Sequence, residues 1–182
     1  MNNEEKSRII FNARSIAFVS IMAATLTCGK LVLSFLPNIE VVTLLCAMYG
    51  YVFGIYGVVA SVVFVCIEPL IYGFGSWFVT YLIYWPAVAF VFLLLRKRGV
   101  GSRLWLTLVA VAMTIGFGVL SSIVDTAFYL GINKNYFPNL VLFYVRGVVF
   151  YVVQTVCNAA LFPTVFVFLT RKLEQIKSLI KI

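Results

Sequence analysis

Charge is the scarcest property of this chain: of its 182 residues only 11% are charged and 63% are apolar, with a mean hydropathy of +1.07. A soluble globular domain or a disordered segment needs far more polar surface, so both are excluded. Histidine is absent, which removes H-E-x-x-H proteases and histidine-based acid–base chemistry, and there is no P-loop to bind ATP. Asp125 is the sole aspartate, so one chain cannot supply both carboxylates of a two-aspartate intramembrane protease. Cys28, Cys46, Cys66 and Cys157 are scattered through apolar segments without a C-x-x-C pair. With no histidine to complete a zinc set they read as small core residues. Neither enzymatic activity nor a metal or other cofactor is expected from these absences.

What is present is apolar length. From Val41 to Leu95 run 55 residues with one charged side chain, Glu68, far beyond the roughly 18 consecutive apolar residues that indicate a helix through a bilayer. Lys and Arg near span ends stay on the cytoplasmic side. Two crossings in this run would put the basic clusters at 96–103 and 171–181 outside; three crossings put both inside. The run must then fold back twice, and glycine marks the breaks: Gly54 and Gly57 first, Gly73 and Gly75 second. The expected fold is an all-α integral membrane protein of six transmembrane helices with both termini cytoplasmic. The spans fall near 13–36, 41–54, 57–72, 77–95, 104–130 and 140–170, in a single membrane domain. The second is short enough, about 20 Å, that other helices or a thinned bilayer must shelter its ends.

The first span follows a basic start. It is too long for a signal peptide and lacks a small-x-small cleavage site, so it is read as retained. Pro163 should bend the last span. In the tail, 171–182, Leu173, Ile176, Leu179 and Ile180 share one face opposite lysines, as in an amphipathic helix at the cytoplasmic interface. The net charge of +8 sits largely at span ends, where it sets topology beside anionic lipid rather than binding nucleic acid.

Ionisable residues inside spans are functional hypotheses by default. Glu68 lies five residues before Gly73, Asp125 six before Gly131, Lys30 seven before Pro37 and Arg146 seven after Asn139. At 1.5 Å per residue, all four fall in one layer about 8 to 11 Å below the outer helix ends, with Glu40 just above. Within the spans, the inner half carries only Arg14, which can snorkel. The pattern describes a polar pocket open to the outside over an apolar floor. Aromatic residues share the layer: Tyr72, Trp77, Tyr81, Tyr84, Trp85 and Tyr129, with Phe74, Phe128, Phe143 and Tyr144. They fit either an interfacial belt or a stacking surface for a flat ligand, and Tyr81, Tyr84 and Trp85 lie deepest. The charges likewise fit either ligand contact or internal pairing, Arg146 with Asp125 or Lys30 with Glu68. Gln154 and Asn158, deeper still, read as interhelical hydrogen bonds. In the first span Ala13, Ala17, Ser20 and Ala24, followed by Thr27, form a small-residue stripe where another helix can approach, either a partner's or the chain's own.

Six spans in a chain near 180 residues, A-x-x-x-A at Ala13-Arg-Ser-Ile-Ala17, the turn L-P-N-I-E at 36–40, and the glycine-punctuated F-G-I-Y-G and Y-G-F-G-S-W together resemble the S components of energy-coupling factor (ECF) vitamin transporters. The likeness covers nearly the whole chain. It implies a substrate-binding membrane subunit that captures a water-soluble vitamin or precursor at its external face, in the plasma membrane of a prokaryote. A transmembrane coupling subunit and two ATPases would then drive release. By motif it assigns only Ala13 and Ala17, as contacts with the coupling subunit; no vitamin-specific signature is present. A membrane scaffold without ligand and a stand-alone secondary transporter are the alternatives, although no inverted repeat of the usual transporter kind is seen.

Overall fold

The computed structural model describes residues 12–35 and 41–180. The expected turn around Pro37, including Glu40, and the polar start lie outside these residues. Within them all regular structure is helical: α1 (Ala13–Leu33), α2 (Val42–Phe53), α3 (Ile55–Tyr72), α4 (Ser76–Lys97), α5 (Arg103–Leu130), α6 (Tyr136–Leu161), a π turn (Phe162–Phe166) and α7 (Val167–Ile180). Among the described residues, five helical runs are long and apolar enough to cross a membrane, the make-up of a multi-pass membrane protein. The run expected to provide the second crossing, α2, has 12 residues. It is about 18 Å long, well short of a hydrocarbon core of about 30 Å.

This short helix is the centre of the bundle. All of α2 except Leu45 is buried, packed against α1, α3 and α4 and touched also by α5, α6 and α7. Its environment is therefore protein on all sides, which shelters its ends. Gly54, at φ +63°, reverses the chain into α3, a backbone region that only glycine enters without strain. Gly57 was expected in the same break but lies inside α3. A Cβ there would overlap the Tyr49 carbonyl, so this glycine serves the close crossing of α2 and α3.

On α1 the core face is Ser15, Val19, Met22, Ala23 and Leu26, and Asn12 caps the helix by accepting from Ser15 N–H at 2.9 Å. α5 buries a row spaced by four, Ala110, Thr114, Gly118, Ser122 and Thr126. Small residues there let α6 approach closely, with Tyr151 over Gly118. Asn158 makes the expected interhelical bond, its Nδ2 donating to Thr114 Oγ1 at 3.0 Å; among the described residues Gln154 makes none.

At Pro163 the helix does not stop. The ladder widens into the π turn, which accommodates the missing N–H, and runs on as α7. The tail, expected as an amphipathic interfacial helix, is thus helical in continuity with α6, and it meets the bundle through Leu173 and through polar groups. Lys177 Nζ donates to the Val52 carbonyl at 2.6 Å, and Arg96 pairs with Glu174 at 2.7 Å. Arg96 also lies 5.0 Å from the Tyr51 ring centroid. Leu173 is half-buried but Ile176 is exposed.

Candidate functional site

The end of the bundle where α3 passes into α4 gathers most of the polar layer. Lys30 lies in the last turn of α1, and Glu68 lies one turn before the end of α3. The two form an ion pair. Glu68 is fully buried and Lys30 partly so. Three rings surround the Lys30 ammonium: Tyr72 at 4.6 Å, Tyr81 at 4.8 Å and Trp77 at 5.8 Å from the ring centroids. Each is in range for a cation–π attraction, about 0.5 to 2 kcal/mol depending on desolvation. Of the two pairings considered from sequence, Lys30 with Glu68 forms.

Why these rings converge follows from spacing. Trp77, Thr80, Tyr81, Tyr84 and Trp85 recur at three and four residues and so share one face of α4. Along that face Trp77 meets Tyr81 at 5.3 Å and Tyr81 meets Trp85 at 5.5 Å. Tyr84 and Trp85 are each 4% exposed and close on Phe117 of α5, at 4.8 and 6.0 Å. A ligand stacking on them would have to displace Phe117, whereas Tyr72 is 46% exposed. Among the described residues, three buried polar atoms here have no hydrogen-bond partner: Glu68 Oε1, Thr80 Oγ1 and Trp85 Nε1. An unmade buried hydrogen bond costs about 1 to 3 kcal/mol, so the site holds acceptor and donor capacity that the chain itself leaves unused.

Asp125 joins the site through α4. Ser76 Oγ donates to Asp125 Oδ1 at 2.6 Å and Ser121 Oγ to Oδ2 at 3.4 Å, which ties the first residue of α4 to α5. The alternative pairing with Arg146 does not form. Arg146 is exposed on α6 and has no ion pair among the described residues. Tyr129 is also exposed, 61%, and stacks parallel to Phe143 at 6.4 Å. Reasoning from depth missed Ser76, Ser121 and Phe117. Ser76 precedes Trp77 directly, so a hydroxyl beside a pocket aromatic was the available signal. Among the described residues no group of three His, Cys, Asp or Glu could hold a metal ion.

On the first helix, Ala13, Ala17, Ser20 and Ala24 are all exposed, and Thr27 is half-buried. The chain's own packing uses the other face of α1. No protein-family model matches the chain, and no curated protein or solved structure matches it either.

Proposed function

We propose that this chain is the substrate-binding subunit of an ATP-driven importer of the energy-coupling factor type, in the plasma membrane of a prokaryote. It crosses the membrane six times with both ends inside, α2 being the short crossing enclosed by its neighbours. A water-soluble vitamin or vitamin precursor is captured from outside. A transmembrane coupling subunit and two ATPases supply the energy, so ATP hydrolysis belongs to the partners. The observation that carries this reading is the Lys30–Glu68 pair enclosed by Tyr72, Trp77 and Tyr81, with buried polar atoms beside it that no described residue pairs. A polar heterocycle with donors, acceptors and a flat face suits that chemistry.

A second reading, a scaffold whose charges only join helices, draws on the same ion pair and on the Ser76–Asp125 bond. Mass spectrometry of protein purified without added ligand separates the two. A small molecule should copurify and raise the thermal midpoint when added back. Glu68→Gln and Asp125→Asn should each weaken its binding at least about tenfold, equivalent to about 1.4 kcal/mol. Lost stability with unchanged affinity in both variants refutes their assignment to the pocket, and absence of any copurifying or stabilising molecule favours the scaffold.

The exposed stripe on α1 supports a partner helix at Ala13, Ala17, Ser20 and Ala24. Ala13→Trp or Ala17→Trp should leave a folded, ligand-binding subunit that fails to assemble with the coupling subunit or to import, since close helix contacts depend on small side chains. Uptake assays paired with binding on the isolated subunit test this. Normal import, or joint loss of binding and stability, overturns the partner assignment.

A further inference from the structure

The opposite end of the bundle contains a second polar feature, made by the start of α5 and the junction of the π turn with α7. Here a cleft of about 480 Å³ is lined by Arg103, Arg171 and Lys172, with Pro163, Val167 and Phe168 among its apolar walls, and no acidic side chain among the described residues lines it. Its volume is that of a small-molecule site, about 300 to 1,000 Å³. None of the three cations has an ion pair among the described residues; Glu174, on the same helix, is engaged by Arg96. Residues 164, 167, 168, 171, 172 and 175 recur at three and four, so the cleft is one stripe of a continuous helix facing Arg103.

The cleft is amphiphilic along that stripe. Val167 and Phe168 lie one turn before Arg171 and Lys172, and Phe168 is 60% exposed. Next to Arg103 in sequence, Leu104 and Trp105 are 66% and 61% exposed. Cations thus sit where apolar helix surface ends, the level of lipid phosphates, and Trp favours that level too. Guanidinium groups bind phosphate oxygens in pairs, and basic pockets at helix ends hold anionic head groups. A free phosphate would use the cations but leave the Phe168 wall in contact with water. A phospholipid uses both.

We propose that this cleft is a specific binding site for one anionic phospholipid, its phosphate held by Arg103, Arg171 and Lys172 and the start of its acyl chains lying on Val167 and Phe168. The site is independent of the transport reading. Native mass spectrometry of the protein released from nanodiscs of phosphatidylcholine and phosphatidylglycerol tests it. One phosphatidylglycerol should stay bound under activation that removes phosphatidylcholine, and added inorganic phosphate should not displace it. Arg171→Gln combined with Lys172→Gln should reduce retention about tenfold or more, as should Arg103→Gln from the opposite wall. Lys97→Gln combined with Arg98→Gln removes the same charge outside the cleft and should retain the lipid. Retention that is unchanged in the cleft variants overturns the proposal. So does equal loss in the control pair, which means general surface charge, or displacement by inorganic phosphate, which means an anion site without lipid selectivity.

Discussion

Lys30→Met is expected to lower the stability of the purified protein by about 3 to 5 kcal/mol, because it leaves the Glu68 carboxylate enclosed without its ion partner. Glu68 is fully buried and one of its oxygens lacks a hydrogen bond among the described residues, none of which offers it a second cation. Glu68→Leu alone should cost less, since Lys30 retains 25% exposure of its side chain and three aromatic rings. The double variant, Lys30→Met with Glu68→Leu, should recover much of the loss, as replacement of whole buried pairs by apolar groups often does. Denaturation of all four proteins in one detergent gives the cycle, and coupling should exceed about 0.5 kcal/mol, the scatter between independent sites. Additive single effects would mean that the pair is not an energetic unit.

Gly50→Ala should be nearly as damaging for a steric reason. A Cβ at Gly50 would overlap the Ala89 carbonyl oxygen and lie 2.6 Å from its carbon. Because the obstacle is backbone, no rotamer change relieves it; α2 and α4 must move apart. Alanine gains about 1 kcal/mol over glycine in helix propensity, whereas overpacking costs about 1 to 3 kcal/mol or more. With α2 packed on all sides the steric cost should win. Gly116→Ala in α5 is the comparison, since a Cβ there meets nothing within 4 Å and only the propensity gain remains. Equal melting temperatures for these two variants would remove the close α2–α4 crossing from the account.

Sequence patterns located the helices well. Spans expected at 77–95 and 104–130 are observed as Ser76–Lys97 and Arg103–Leu130. Lys30 and Glu68 fall at one level when residues are counted from the turns, and they meet. Counting residues from a turn gives height along a helix, but each residue also advances about 100° around it, and that angle decides what a side chain faces. In soluble proteins hydropathy reports the angle. In an apolar bundle lipid and core look alike, so it does not. Arg146 and Asp125 therefore seemed equally able to pair, yet Arg146 faces outward and Ser76 binds Asp125. Trp85, expected as a stacking surface, lies against Phe117. Gly57 was misplaced for a related reason: its role depends on a neighbouring helix that sequence spacing does not identify.

The run from Tyr136 to Ser178 is a single rod of 43 residues, about 60 Å long and therefore about twice the thickness of a hydrocarbon core. Such a rod cannot stand upright within the bilayer, so one stretch must project into head groups or water. The end bearing Arg96 and Glu174 meets that requirement, with side chains 52% and 38% exposed. Its grip on the bundle is thus subject to screening, which acts over about 8 Å at physiological ionic strength. The Lys30–Glu68 clasp, with Glu68 fully buried, is screened much less. The molecule is fastened at one end by a largely sheltered contact and at the other by one that the surrounding electrolyte can loosen, so changes in ionic strength act chiefly on one end.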